Sequence, residues 1–182
     1  QPNGNLPSNM TLQGQSQAGT IILLKNSCPG FTNAGSPKAM IVTGHDVAQC
    51  FFNNVKNMTI NTGTGNSGAI GLRFYANNTG TATNLTIKSG DGNGQIGLDL
   101  YWQNENGPLL VKNVLIDGFN IGINSGSCQN SQTMEHITLQ NQKQLGIKTQ
   151  GGVLSIRDLI STNSVTAVNN TGILTLLGAK CT

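Results

Sequence analysis

The sequence predicts an all-β protein: a parallel β-helix of about seven coils, each roughly 22–29 residues long and carrying three short strands. Three observations carry this prediction. Two short motifs recur in phase with each other, their residues alternate apolar and polar with period two, and turn-rich spacers separate them with no stretch patterned as an amphipathic helix. Residues 1–182 read as one such domain with no clear cap at either end.

The first motif is Lys56-Asn57-Met58-Thr59-Ile60, Thr83-Asn84-Leu85-Thr86-Ile87, Lys112-Asn113-Val114-Leu115-Ile116 and Glu135-His136-Ile137-Thr138-Leu139, with a weaker copy at Arg157-Asp158-Leu159-Ile160. Its second position thus recurs at Asn57, Asn84, Asn113, His136 and Asp158, in steps of 27, 29, 23 and 22 residues. Upstream, Ser8-Asn9-Met10-Thr11-Leu12 reads as a further copy two coils before Asn57. The second motif is Ile70-Gly71-Leu72, Ile96-Gly97-Leu98, Ile121-Gly122-Ile123 and Leu145-Gly146-Ile147, continued at Thr166-Ala167-Val168. A third strand is expected ahead of the first motif, at 109–111, 153–156 and 173–177. The alternation turns Met58 and Ile60 to one face and Thr59 to the other. Spacers such as 61–68 and 89–94 are built from Asn, Thr, Ser, Asp and Gly, which favour turns. Units this short cannot bury a face alone; stacked, each strand pairs with its equivalent one coil on and a continuous interior forms. A leucine-rich repeat would need a fixed Leu/Asn consensus that is absent.

Composition narrows the function classes. Only 9% of residues are charged, against about 25% in an average domain. A net charge of +3 without a basic cluster is no nucleic-acid footprint, and no apolar run approaches the ~18 residues of a membrane span. The four cysteines, Cys28, Cys50, Cys128 and Cys181, form no CxxC pair, so disulfides are expected rather than zinc, with Cys28 and Cys50 close to one coil apart. Asn-x-Ser/Thr sequons occur at Asn9, Asn57, Asn77, Asn84 and Asn169. The chain start reads as that of a processed mature chain or an excised domain, and with the cysteines and sequons it points to an extracellular setting. No metal or cofactor is expected.

Stacking turns each motif position into a column with a spacing of about 4.8 Å. Asn9, Asn57, Asn84 and Asn113, then His136 and Asp158, form one column, expected to satisfy backbone groups at a bend through stacked amides. That leaves Asn77, Asn169 and Asn9 as the glycosylation candidates. Thr11, Thr59, Thr86 and Thr138 form an outward column broken by Leu115 and Ile160, which reads as β-propensity rather than a binding array.

The repeats spanning 57–75, 84–102, 112–124, 135–147 and 154–168 resemble the right-handed β-helices of the pectate lyase superfamily, in particular its rhamnogalacturonase- and exo-glucanase-like branches. The resemblance is one of pattern over most of residues 6–180. It implies a right-handed coil and a carbohydrate setting. The paired aspartates, Gly-His-Gly and Arg-x-Lys of that superfamily's pectin hydrolases are absent, and the Asp91-Gly92-Asn93-Gly94 turn offers one charged ligand, too few for the calcium site of its lyases.

One outward patch stands out. With Leu72, Phe74, Leu98 and Leu100 inward, Arg73 falls beside Asp99 and Tyr75 beside Tyr101, with Gly71 and Gly97 as a shallow floor and Trp102 and Glu105 next along the chain. Aromatic faces beside polar groups suit a sugar ring, so Arg73, Tyr75, Asp99, Tyr101 and Trp102 are the expected glycan-binding residues. Asp99, Glu105 and Arg73 are the catalytic candidates. The expected function is a secreted structural or carbohydrate-associated module, non-catalytic, contacting a glycan and stacking head to tail with copies of itself. The alternatives are a polysaccharide lyase or glycoside hydrolase, whole or in part, and a receptor-binding fibre domain.

Overall fold

A computed structural model describes residues 8–45, 49–101, 105–126 and 130–182. Among them there is no α-helix, and all strands lie in two stacked sheets of eight and six in which every pairing is parallel. The first pass of the chain contains β1 (Thr11–Gln13), β2 (Ile21–Leu23) and β3 (Lys38–Val42). Later passes alternate a long strand with a short one: β4 (Asn54–Asn61) and β5 (Ala69–Arg73), β6 (Asn77–Lys88) and β7 (Ile96–Asp99), β8 (Gly107–Asp117) and β9 (Ile121–Ser125). Then come β10 (Ser131–Gln140) and β11 (Leu145–Thr149), β12 (Val153–Thr162) and β13 (Val168–Asn169), and β14 (Ile173–Cys181). The long strands stack as β1-β4-β6-β8-β10-β12-β14 with β2 also on β4, and the short ones as β13-β11-β9-β7-β5-β3.

The register follows the repeat motifs. Met58 pairs with Leu85, Leu85 with Val114, Ile137 with Val114 and with Leu159, so each first motif lies on the next. Leu72, Leu98, Ile123 and Ile147 stack likewise in the second sheet. These inward residues, with Met58, Ile60, Phe74, Leu85, Ile87, Leu100 and Phe119, are at most 1% exposed and form one core between the sheets.

Two sequence expectations change. The third strand expected ahead of the first motif is continuous with it in β8 and β12, and the expected strand 173–177 likewise runs on to Cys181 in β14. The chain bends inside the strand at one residue with positive φ: Asn57 (59°), Asn84 (54°), Asn113 (54°), His136 (52°) and Asp158 (58°). Asn9 belongs elsewhere. Thr11 pairs with Asn54 and Leu12 with Val55, so Asn9 lies level with Phe52 and not with Asn57. The chain runs from Thr11 to its pairing partner Asn54 in one long pass, where two repeats were expected. Residues 14–20 form a loop at the bend, closed by Gly14 N donating to Lys56 O (2.9 Å) and Thr59 N to Thr20 O (2.8 Å).

Asparagine tolerates the left-handed region better than most residues, and its amide can bond to the copy on the next strand. Asn84 Nδ2 donates to Asn57 Oδ1 and Asn113 Nδ2 to Asn84 Oδ1, both at 3.0 Å, and His136 Nδ1 sits 3.1 Å from Asp158 Oδ2. Asn84→Ala is therefore expected to lower the unfolding free energy by about 2 kcal/mol, from lost amide bonds and left-handed strain. Asn84→Gly should recover the strain component alone, and chemical denaturation of the pair would separate the two contributions.

The threonine column holds for Thr59, Thr86, Leu115, Thr138 and Ile160, which are in register, while Thr11 lies in a different row. Thr59 is covered by the 14–20 loop, its hydroxyl donating to Gln17 O at 2.7 Å. The glycines of the second motif are no surface floor. A Cβ on Gly71 or Gly97 would meet the core methyls of Ile87 or Ile116 at 2.4 Å and the carbonyl of the next glycine at 2.8 Å, so these positions are small because two strands and the core converge there.

The cysteine expectation is also corrected. No disulfide joins Cys28, Cys50 and Cys181, and Cys128 lies outside the described residues. Cys28 precedes β3, its amide bonded to Asn66 Oδ1 (2.7 Å), whereas Cys50 follows β3 and its carbonyl accepts from Asn77 N (2.9 Å). The two therefore stand at opposite ends of the same strand of the second sheet. Their spacing, close to one repeat in sequence, conceals this, because the first pass is longer than the passes that follow. Cys181 is exposed at the end of β14.

Candidate functional site

The predicted patch lies on the outer face of the second sheet. Parallel pairing of β5 with β7 and β7 with β9 sets Arg73 opposite Asp99 and Asp99 opposite Asn124. Arg73 Nε donates to Asp99 Oδ2 at 2.9 Å, and Asn124 Nδ2 donates to Asp99 Oδ1 at 2.9 Å, with Tyr101 N reaching the same oxygen at 3.4 Å. Gln150 Nε2 extends the chain of bonds to Asn124 Oδ1 at 3.0 Å. The Asp99 side chain is only 6% exposed and that of Arg73 31%. Both oxygens of this carboxylate are thus engaged by neighbours on its own and adjacent strands.

Tyr75 departs from the expected outward position. It is 5% exposed and packs with the buried Cys50. Its amide donates to Thr43 Oγ1 (2.7 Å), whose hydroxyl donates back to Tyr75 O (2.8 Å). The strand ends at Arg73, so strict alternation no longer applies two residues further on. Burial pushes the phenol up to about 12, with the Arg73 charge opposing and the Asp99 charge adding to the rise. Tyr101 and Glu105 are half-buried, and Trp102 lies outside the described residues. The structure therefore brings Arg73, Asp99 and Tyr101 together, with Tyr75 beneath the surface.

The raised phenol gives a direct check. The folded chain favours neutral Tyr75, so this contribution to stability is intact below the ordinary value of 10.0 and is lost as pH rises through about 12. In a Tyr101→Phe variant, phenolate absorbance should appear only near about 12 while the chain stays folded. A transition near 10.0 would place Tyr75 in water.

This chain matches no family model, no curated protein and no solved structure. The site must be judged on its own geometry.

Asp91, Asp117 and Glu135 are engaged away from the patch, and Asp46 lies outside the described residues. Burial would raise the Asp91 carboxyl, but backbone amides of Gly65 (2.7 Å) and Asn93 (3.0 Å) outweigh that and hold it below the usual range. Asp117 accepts from Asn141 Nδ2 at 2.7 Å. Glu135 bridges Lys112 and Arg157, each at 3.0 Å, and the Lys112 hydrogen bond, aided by the Arg157 charge, keeps its carboxyl low. Among the described residues, no three His, Cys, Asp or Glu side chains group closely enough to hold a metal ion.

Sequence reasoning missed a second set of amides. Asn53, Asn66, Asn106, Gln132 and Gln142 are each at most 4% exposed. Asn106 Nδ2 donates to Phe74 O (3.0 Å) and Leu100 O (2.8 Å), while Ala76 N donates to its Oδ1 (2.9 Å). Gln132, one pass on, donates to Leu100 O and Asn106 O, and Gln142 donates to Ile116 O and Gly118 O at the other corner. They supply corner carbonyls and amides with partners that the sheet ladders do not reach. Their spacing is irregular because corner lengths vary, which hid them from repeat alignment. Of the glycosylation candidates, Asn77 is 8% exposed and tied into the start of β6, whereas Asn9 and Asn169 are exposed.

Proposed function

We propose that this chain is a right-handed parallel β-helix of about seven coils, serving outside the cell as a non-catalytic, carbohydrate-associated structural module that stacks end to end with copies of itself. Alternation of consecutive strands between two parallel sheets supports the coil, and the strong preference of parallel crossovers for one hand supports its handedness. The pattern resemblance to the pectate lyase superfamily points the same way. The observation that carries the stacking is the state of the outermost strands. Leu12, Ile22, Met40 and Ile41 at one end, and Val168 and Leu174 at the other, extend the core column yet are only partly buried, and Leu176 is 44% exposed. Both ends belong to the same two sheets, so one copy can continue the ladders of another in a head-to-tail contact that does not close.

The engaged state of Asp99 supports the non-catalytic half of the reading, since a general acid, base or nucleophile needs a carboxylate oxygen facing substrate. An extracellular setting rests on the exposed sequons at Asn9 and Asn169 and no longer on disulfides. Sedimentation over a wide concentration range, with electron microscopy of the same samples, tests the stacking. Mass rising with concentration and rods of uniform width are expected; one monomer mass throughout would overturn it. Turnover of any polysaccharide in a glycan panel would overturn the non-catalytic reading.

A further inference from the structure

On the sheet opposite the Arg73–Asp99 patch, the strand β6 carries a bulge. Phe51 bridges Asn77 and Asn54 pairs with Thr81, while on the other side Asn77 pairs with Gly107 and Gly80 with Leu109. Between these pairs β6 has Asn78 and Thr79 where β8 has Pro108 alone, and it has one residue more than the Phe52–Asn53 segment leading into β4. Phe52 (φ 55°), Asn78 (51°) and Thr79 (78°) all have left-handed backbones. For an aromatic and a β-branched residue this is an unfavourable conformation, and bulges commonly re-aim side chains beside functional sites. Burial does not repay it at Phe52, which is 49% exposed.

Beside this bulge lies an open groove of about 320 Å³, lined by Thr79, Thr81, Pro108, Leu110 and Thr133 together with Gly80 and Leu109, with no charged side chain among them. A second depression of about 210 Å³ shares Thr133 and continues past Ser155 to Thr175. The register explains the continuity: Asn54, Thr81, Leu110, Thr133, Ser155 and Thr175 form one outward row across six strands. Glu135 and Arg157 also line the second depression, where they pair with each other, and Glu135 holds Lys112 as well.

We propose that this row binds a linear, uncharged glycan lying along the stacking axis, with Phe52, Pro108 and Leu110 against sugar C–H faces and the Thr and Ser hydroxyls bonding sugar hydroxyls. Hydroxyl side chains can donate and accept, as sugar hydroxyls require; Thr81 donates to Asn54 Oδ1 at 2.6 Å and so offers its lone pairs, and aromatic and apolar surfaces suit the C–H face. A repeat of about 4.8 Å between strands offers equivalent contacts along a polymer. An acidic glycan would find no cation in the first groove, and in the second depression only Arg157, whose charge Glu135 already pairs. The inference rests on the carbohydrate-associated half of the function proposed above and moves its contact to the other sheet.

Gel retardation in soluble neutral polysaccharides (a β-glucan, a mannan and a neutral xylan) against polygalacturonate tests it, with Phe52→Gly, Phe52→Ala and Thr81→Val as variants. At least one neutral polymer should retard the parent chain, and Phe52→Gly should weaken retardation about tenfold. Glycine suits the left-handed backbone, so that variant should melt no lower than the parent, which separates lost binding from lost fold. Retardation by the acidic polymer alone, or insensitivity to Phe52 and Thr81, overturns the site. If Tyr101→Ala abolishes retardation where Phe52→Gly does not, the glycan binds the other sheet and the carbohydrate reading survives without this one. No retardation by any polymer overturns both, as does capture by phosphatidylcholine vesicles in its place.

Discussion

Asp99→Ala should destabilise the chain by about 2–4 kcal/mol, at or somewhat below the ~3–5 kcal/mol for removing one partner of a fully buried ion pair, because Arg73 keeps some contact with water. The loss has two sources. Arg73 Nε and Asn124 Nδ2 each lose their 2.9 Å acceptor, and the hole left between β5 and β9 is flanked by polar groups that apolar repacking cannot satisfy. Asp99→Asn keeps the shape but removes the charge, and should cost less. Urea unfolding of both variants is the check. If Asp99→Ala unfolds at the same urea concentration as the parent, Asp99 is not the structural tie between three strands that its contacts imply, and a chemical role for it regains force.

Gly97→Val should be of similar size, about 3 kcal/mol or more. Even a single Cβ there would stand 2.4 Å from Ile116 Cγ2, 2.8 Å from Gly122 O and 3.3 Å from the Phe119 ring. Relief would require displacing a neighbouring backbone as well as a side chain, and the column repeats at Gly71, Gly122 and Gly146, so a shift at one strand propagates to the next. Reduced soluble yield, or a thermal midpoint lowered by several degrees, is the expected result. A variant that melts with the parent would mean that the sheets can part at this column without cost.

Much of the fold was legible because stacking forces equivalent residues into equivalent environments. Met58, Leu85, Val114, Ile137 and Leu159 share one core position, and their spacing alone aligned the strands correctly. The bend column was legible for the same reason at Asn57, Asn84 and Asn113. Asn9 was misread because the first pass, with its loop of residues 14–20, is far longer than the others while the local motif is undisturbed. The Arg73–Asp99 contact followed from register, but the burial of Tyr75 did not, because it lies past the strand end where alternation carries no information. The bulge at Asn78 and Thr79 was invisible: it is defined by what faces it on two other strands.

By itself, the sequence determined the repeat, the parallel stacking of its strands and the identity of the core. These depend on periodicity, which is a local property that every pass restates. Only the tertiary structure decided which outward residues are accessible. Asp99 is enclosed by side chains from β5 and β9, Thr59 by a loop from the preceding pass, and Cys28 is carried away from Cys50 by the length of β3 and its turns. Exposure depends on neighbours that are remote in sequence and irregular in length. For that reason Asp99 and Tyr75 of the patch marked by its residue types are buried, while the open groove beside the β6 bulge lies on the other sheet.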